Sequence, residues 1–193
     1  MIEMAGVVRQ VESQQARLLK RLRELVEVES PSEDKAAVDR AGELVAGWAI
    51  ELGGRVKRHR QQEFGDVLEI RFGPRKSKRG RAMLLGHLDT VWPIGTLKRM
   101  PWTEAKGTIC APGVLDMKCG VVMELEAVAA LKALGLERPV TLLLGSEEEI
   151  GSPVSRPIIE RVAQECAAVF VTEPAQGLAY KTARKGVGNF VLR

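Results

Sequence analysis

Four short islands of this chain carry side chains able to do chemistry: Gly86-His87-Leu88-Asp89-Thr90, Gly113-Val114-Leu115-Asp116-Met117-Lys118, Ser146-Glu147-Glu148-Glu149-Ile150-Gly151-Ser152 and Val171-Thr172-Glu173-Pro174. Together they offer one imidazole and several carboxylates, the donors that a pair of zinc ions and a general base require. His87 can give a neutral ring nitrogen to a metal, and Asp89, two residues on, can take the ring's other N–H. Asp116 has two oxygens and can bridge two cations. Glu148 and Glu149 are adjacent, so one can bind metal while the other handles a proton. Glu173 can complete the shell of one cation. The set suits hydrolysis by water activated on metal, but it lacks a second His ligand.

These residues need elements to bring them together. Apolar residues at helical spacing (Val7, Val11, Leu18, Leu22, Leu25, Val26) predict one amphipathic helix ending before Pro31. Ser32 is the expected N-cap of a second helix, with Glu33 and Asp34 in its first turn and Gly53-Gly54 at its end. Strands are expected over 56–60, 67–72, 82–85, 140–144 and 168–171, and helices over about 120–134 and 155–166. The region 88–113, rich in Gly and Pro, reads as one long loop. Three islands thus follow strand ends and the fourth opens a helix. Ligands gather at the carboxyl ends of strands in open α/β sheets. Two further strands are expected over 177–184 and 187–193. The chain stops inside the second of these, so it is read as a fragment.

Composition narrows the class. A length of 193 residues with 45% hydrophobic content suits one α/β domain with a real core. A net charge of +4 and an aromatic content of 4% give no support for nucleic-acid binding. Three cysteines without a CxxC pair suit a reducing compartment. No signal peptide or membrane-length apolar run is evident, so a cytoplasmic protein without a membrane partner is expected. His59 reads as part of an exposed strand with no role, and residues 75–81 as a solvated hairpin tip.

GHLDTV, GVLDMKxG and EEExGS in this order are specific as a set. From about Leu18 onward the chain resembles the di-zinc peptidases and amidohydrolases that include glutamate carboxypeptidase, acetylornithine deacetylase, succinyl-diaminopimelate desuccinylase and peptidase T. The resemblance implies a three-layer α/β zinc-exopeptidase-like catalytic domain with a mostly parallel central sheet. Residues 1–184 would form its N-terminal part. Arg184-Lys185-Gly186 would open a lid and dimerisation domain, of which 185–193 is the truncated start.

The same resemblance implies two Zn2+, with Co2+ or Mn2+ as possible substitutes. His87 and Glu173 would ligate one ion, Asp116 would bridge, and Glu149 would hold the other together with a His beyond this chain. Glu148 would be the general base and Asp89 the partner that orients His87. The implied substrate is a small peptide or N-acyl amino acid cut next to a free carboxylate. The implied assembly is a homodimer through the lid, and this fragment alone is expected to be inactive. Ala111 and Cys119 stand where the family usually has Gly. The alternative is therefore a non-catalytic binding or scaffold protein with a decayed metal site. A Ser or Cys hydrolase is disfavoured, because no G-x-S-x-G elbow exists.

Overall fold

The fold is described from a computed structural model, which describes residues 3–75, 80–136, 138–175, 177, 179 and 181–183. The elements run α1 (Met4–Glu12), α2 (Gln15–Glu27), α3 (Lys35–Glu51), β1 (Arg55–His59), β2 (Val67–Phe72), β3 (Ala82–His87), β4 (Thr103–Ala105), β5 (Thr108–Cys110), α4 (Cys119–Ala133), β6 (Val140–Gly145), α5 (Arg156–Gln164) and β7 (Ala168–Val171).

Five strands form one sheet in the order β1-β2-β6-β3-β7. β2 is antiparallel to both β1 and β6, while β3 is parallel to both β6 and β7. Four of the five strands therefore point the same way, with only β2 opposed. This agrees with the mostly parallel sheet expected. β6 reads Val-Thr-Leu-Leu-Leu-Gly and is buried at every position, as a central strand covered on both faces should be.

Alternation along the strands splits the core in two. Leu68, Ile70, Phe72, Val140, Leu142 and Leu144 face α2, α3 and α4, together with Leu25, Val45, Val121 and Leu125. Val67, Met83 and Leu143 face Val162 of α5 on the other side. The result is three layers: helices, sheet, helix. Removing a buried leucine such as Leu142 would cost about 2–5 kcal/mol, because transfer and cavity terms add. α2 is pinned to α4 by Glu126, which accepts hydrogen bonds from Arg17 and from Arg21.

Local readings need correction in five places. The single N-terminal helix is two, because Ser13 turns its hydroxyl onto the Gln10 carbonyl and the chain breaks before Gln15. The cap of α3 is Asp34, whose Oδ1 accepts from the Ala37 N–H at 2.9 Å; Ser32 is engaged elsewhere. The long loop contains the β4–β5 hairpin, turned through Lys106 and Gly107, both with positive φ. His59 is mostly buried, with Nε2 2.9 Å from Glu69 Oε2. The segment 75–81, expected as a hairpin tip, joins β2 to β3, which β6 separates, so the two strands form no hairpin; its residues 76–79, the two C-terminal strands and the 184/185 boundary fall wholly or largely outside the described residues.

Candidate metal centre

β3 and β6 pair in parallel with His87 opposite Gly145, and the Leu88 N–H donates to the Gly145 carbonyl just beyond. The carboxyl end of β3 and the 146–152 turn are thereby brought together. β7, on the other flank of β3, ends at Val171 and delivers Glu173 two residues later. Asp116 lies in the Val114–Lys118 turn that runs into α4. The Asp116–Met117 peptide bond is cis. The six expected residues, His87, Asp89, Asp116, Glu148, Glu149 and Glu173, all converge at this edge of the sheet.

His87 is the centre of the arrangement and is 2% exposed. Its Nε2 lies 3.2 Å from Glu173 Oε1, 3.3 Å from Asp116 Oδ1 and 3.8 Å from Glu148 Oε2. Its Nδ1 lies 3.1 Å from Asp89 Oδ1 and 3.0 Å from the Asp89 carbonyl oxygen. Two sets of ligand atoms each fall within 4.8 Å of one another: His87, Glu148 and Glu173, and His87, Asp116 and Glu149. Beside them is a cavity of about 180 Å3 lined by His87, Glu148 and Glu173 among others.

The electrostatics are those of a site short of positive charge. Burial by itself would lower the His87 pKa, yet hydrogen bonds and charges from Asp89 and Glu173 outweigh it and push it up to about 11. The carboxyls of Asp116, Glu148 and Glu149 are all raised, first by burial and then by neighbouring carboxylates that His87 only partly offsets. Like charges this close disfavour joint ionisation unless a cation lies between them. The donor set, one imidazole and four carboxylates, fits a hard or borderline divalent cation such as zinc, manganese or cobalt.

Asp89 is buried completely and has donors on both oxygens. Beside His87, Oδ1 accepts from the Glu148 N–H at 3.1 Å. Oδ2 accepts from the Ser32 hydroxyl at 2.6 Å and the Glu149 N–H at 3.2 Å. Glu147 turns away from the cluster: it is buried and accepts from the Ser146 hydroxyl and from the Val154 and Ser155 N–H groups. The three successive glutamates thus have different jobs.

Three residues near the site escaped the sequence reading. Ser32, expected as a helix cap, donates its hydroxyl to Asp89 instead. Lys118 is buried and donates to the carbonyls of Leu25 and Val28; burial depresses its pKa to about 7. Glu124 is 1% exposed, with Oε1 accepting from the Thr172 hydroxyl and Oε2 without a hydrogen-bond partner among the described residues. The one signal for Glu124 was a carboxylate among the apolar residues Val121, Val122, Leu125 and Val128 of α4.

The chain belongs to the peptidase family M20/M25/M40, whose model matches residues 83–183. It is 30% identical over 166 residues to carboxypeptidase G2 of Pseudomonas sp. (strain RS-16), covering 83% of this chain and 39% of that protein. It is 31% identical over 141 residues to an acetylornithine deacetylase of Yersinia pestis, covering 66% of this chain and 36% of that protein. Among solved structures, human carnosine dipeptidase 1 superposes with a TM-score of 0.75 at 22% identity, covering 88% of this chain and 41% of that one. The chain therefore spans about two fifths of the length of these relatives.

Proposed function

We propose that this chain carries the metal-binding core of a hydrolase that cuts an amide bond next to a free carboxylate, in a small peptide or an N-acyl amino acid. The observation that carries the reading is the convergence of Asp116, Glu148 and Glu173, from three separate elements, on the single nitrogen Nε2 of His87. Membership of the M20 family and the likeness to a carboxypeptidase and a deacetylase support it.

His87 and Glu173 would hold one divalent cation, Asp116 would bridge, and Glu149 would hold a second with a ligand from elsewhere in the whole protein. Bound there, the cations supply Lewis acidity and lower the pKa of water. Zinc is the proposed ion, with cobalt and manganese as alternatives that the same donors accept. Glu148 is the general base: it takes the proton of the attacking water and returns it to the leaving nitrogen. Asp89 takes the Nδ1–H of His87, which leaves Nε2 free to ligate. In the whole protein we place a lid after residue 184, with dimerisation through it. The three free cysteines agree with a reducing, cytoplasmic setting, and no helix among the described residues is long and apolar enough to cross a membrane.

The decayed-site alternative loses its support at the two residues that raised it. Ala111 is buried in the helical side of the core, and the Cys119 thiol points to Met123 Sδ at 3.8 Å. Neither stands among the ligand atoms. Glu148→Gln in the full-length enzyme is expected to lower kcat by about 10²–10⁴-fold while zinc is retained. Hydrolysis at the wild-type rate would refute the base assignment.

A further inference from the structure

The connection between α2 and α3 is tied to the turn that holds Asp116 and to the loop that follows β3. The Lys118 ammonium, two residues past Asp116, donates to the Val28 carbonyl at 2.6 Å. The Glu29 carboxylate accepts from the Gly95 and Leu97 N–H groups at 2.7 and 2.8 Å. The Ser30 hydroxyl donates to the Leu88 carbonyl at 2.7 Å, the Thr90 N–H donates to the Ser30 carbonyl at 2.8 Å, and Pro31 and Thr90 form a parallel bridge. Ser32 ends the series, with its hydroxyl 2.6 Å from Asp89 Oδ2.

We propose that Ser32 is a positioning residue of the metal centre, acting through Asp89 on His87, Glu148 and Glu149 together. The proposal rests on the metal-centre reading above. Asp89 has two oxygens and four donors, two on each. Oδ1 serves His87 and the Glu148 amide, while Oδ2 serves Ser32 and the Glu149 amide. Ser32 supplies the shortest of the four contacts and comes from an element outside the ligand-bearing loops. It fixes the rotation of the carboxylate, and that rotation sets the imidazole plane and the start of the turn bearing both glutamates. Without the hydroxyl, Oδ2 keeps one weak amide partner in a site where Asp89 is otherwise shut off from solvent. The carboxylate can then pivot about its Oδ1 contacts. The expected damage falls first on Glu149, which shares Oδ2 with Ser32.

The test compares Ser32→Ala and Ser32→Thr with the wild type. Thr keeps the hydroxyl, and Ser32 lines a cavity of about 550 Å3. In the metal-free chain, amide hydrogen exchange at Glu149 should quicken tenfold or more in Ser32→Ala and return in Ser32→Thr. The β6 amides (Val140–Gly145) should keep their protection. Zinc affinity should fall at least tenfold in Ser32→Ala and recover in Ser32→Thr. Unchanged exchange at Glu149, equal acceleration throughout β6, or wild-type zinc affinity in Ser32→Ala would each overturn the proposal. If the wild type takes up no zinc, the metal-centre reading fails instead, and the exchange data alone decide whether Ser32 positions the turn.

Discussion

At the scale of single residues, chemistry and burial have to be read together. Glu147, Glu148 and Glu149 are chemically identical, yet Glu147 is consumed by Ser146, Val154 and Ser155 while its two neighbours face His87. The sequence could separate structural from functional carboxylates only by analogy, because the turn geometry that sorts them is set by Asp89. Ser32 shows the same limit. A Ser before a helix is an N-cap by type, but Asp34 serves that end equally well and Ser32 is left for Asp89. Glu124 yields a prediction at this scale. Burial pushes its pKa up to about 8, with the Thr172 hydroxyl pulling the other way. The folded state therefore keeps a proton that the unfolded chain releases near its ordinary value of 4.5. That contribution to stability is complete below the unfolded value and is lost as the pH rises through about 8. Lys118 acts in the opposite sense, since its folded pKa is depressed to about 7, so the wild-type profile alone does not isolate Glu124. Glu124→Gln, which cannot ionise, should gain on the wild type in urea midpoint between pH 6 and 9. A difference independent of pH would refute a buried, protonated Glu124.

At the scale of elements, the islands were legible because each follows a short apolar run that had to be a strand, or opens a helix. What was not legible is that β3 lies between β6 and β7. That order places His87 in reach of both the 146–152 turn and Glu173, and it depends on long-range pairing that no local pattern encodes. The β4–β5 hairpin was also missed, since its strands have three exposed or half-buried residues each and no apolar periodicity. The docking of α4 against the end of β7 fixes the spacing of Asp116 and Glu173. Gly120, in the first turn of α4, permits it: a Cβ there would lie 2.5 Å from the Thr172 carbonyl oxygen. Gly120→Ala should push α4 from that strand end and cost about 1–3 kcal/mol, as overpacking does. Thermal unfolding measures this directly, and an unchanged midpoint would mean that the contact is not tight.

At the scale of the whole molecule, one edge of the sheet carries all six candidate residues, and α3 and α4 cover one face while α5 covers the other. Among the described residues β7 is one of the sheet's two outer strands, with Val169, Phe170 and Val171 exposed, and an outer strand offers backbone groups for further pairing. The central claim is that the cluster around His87 is a metal centre. The most direct measurement is the zinc retained per chain after saturation and removal of excess ion, for the wild type, His87→Ala and Asp116→Ala. Between one and two equivalents in the wild type, lost in both variants, is the predicted result. No retained zinc in the wild type, or equal retention in the variants, would contradict it.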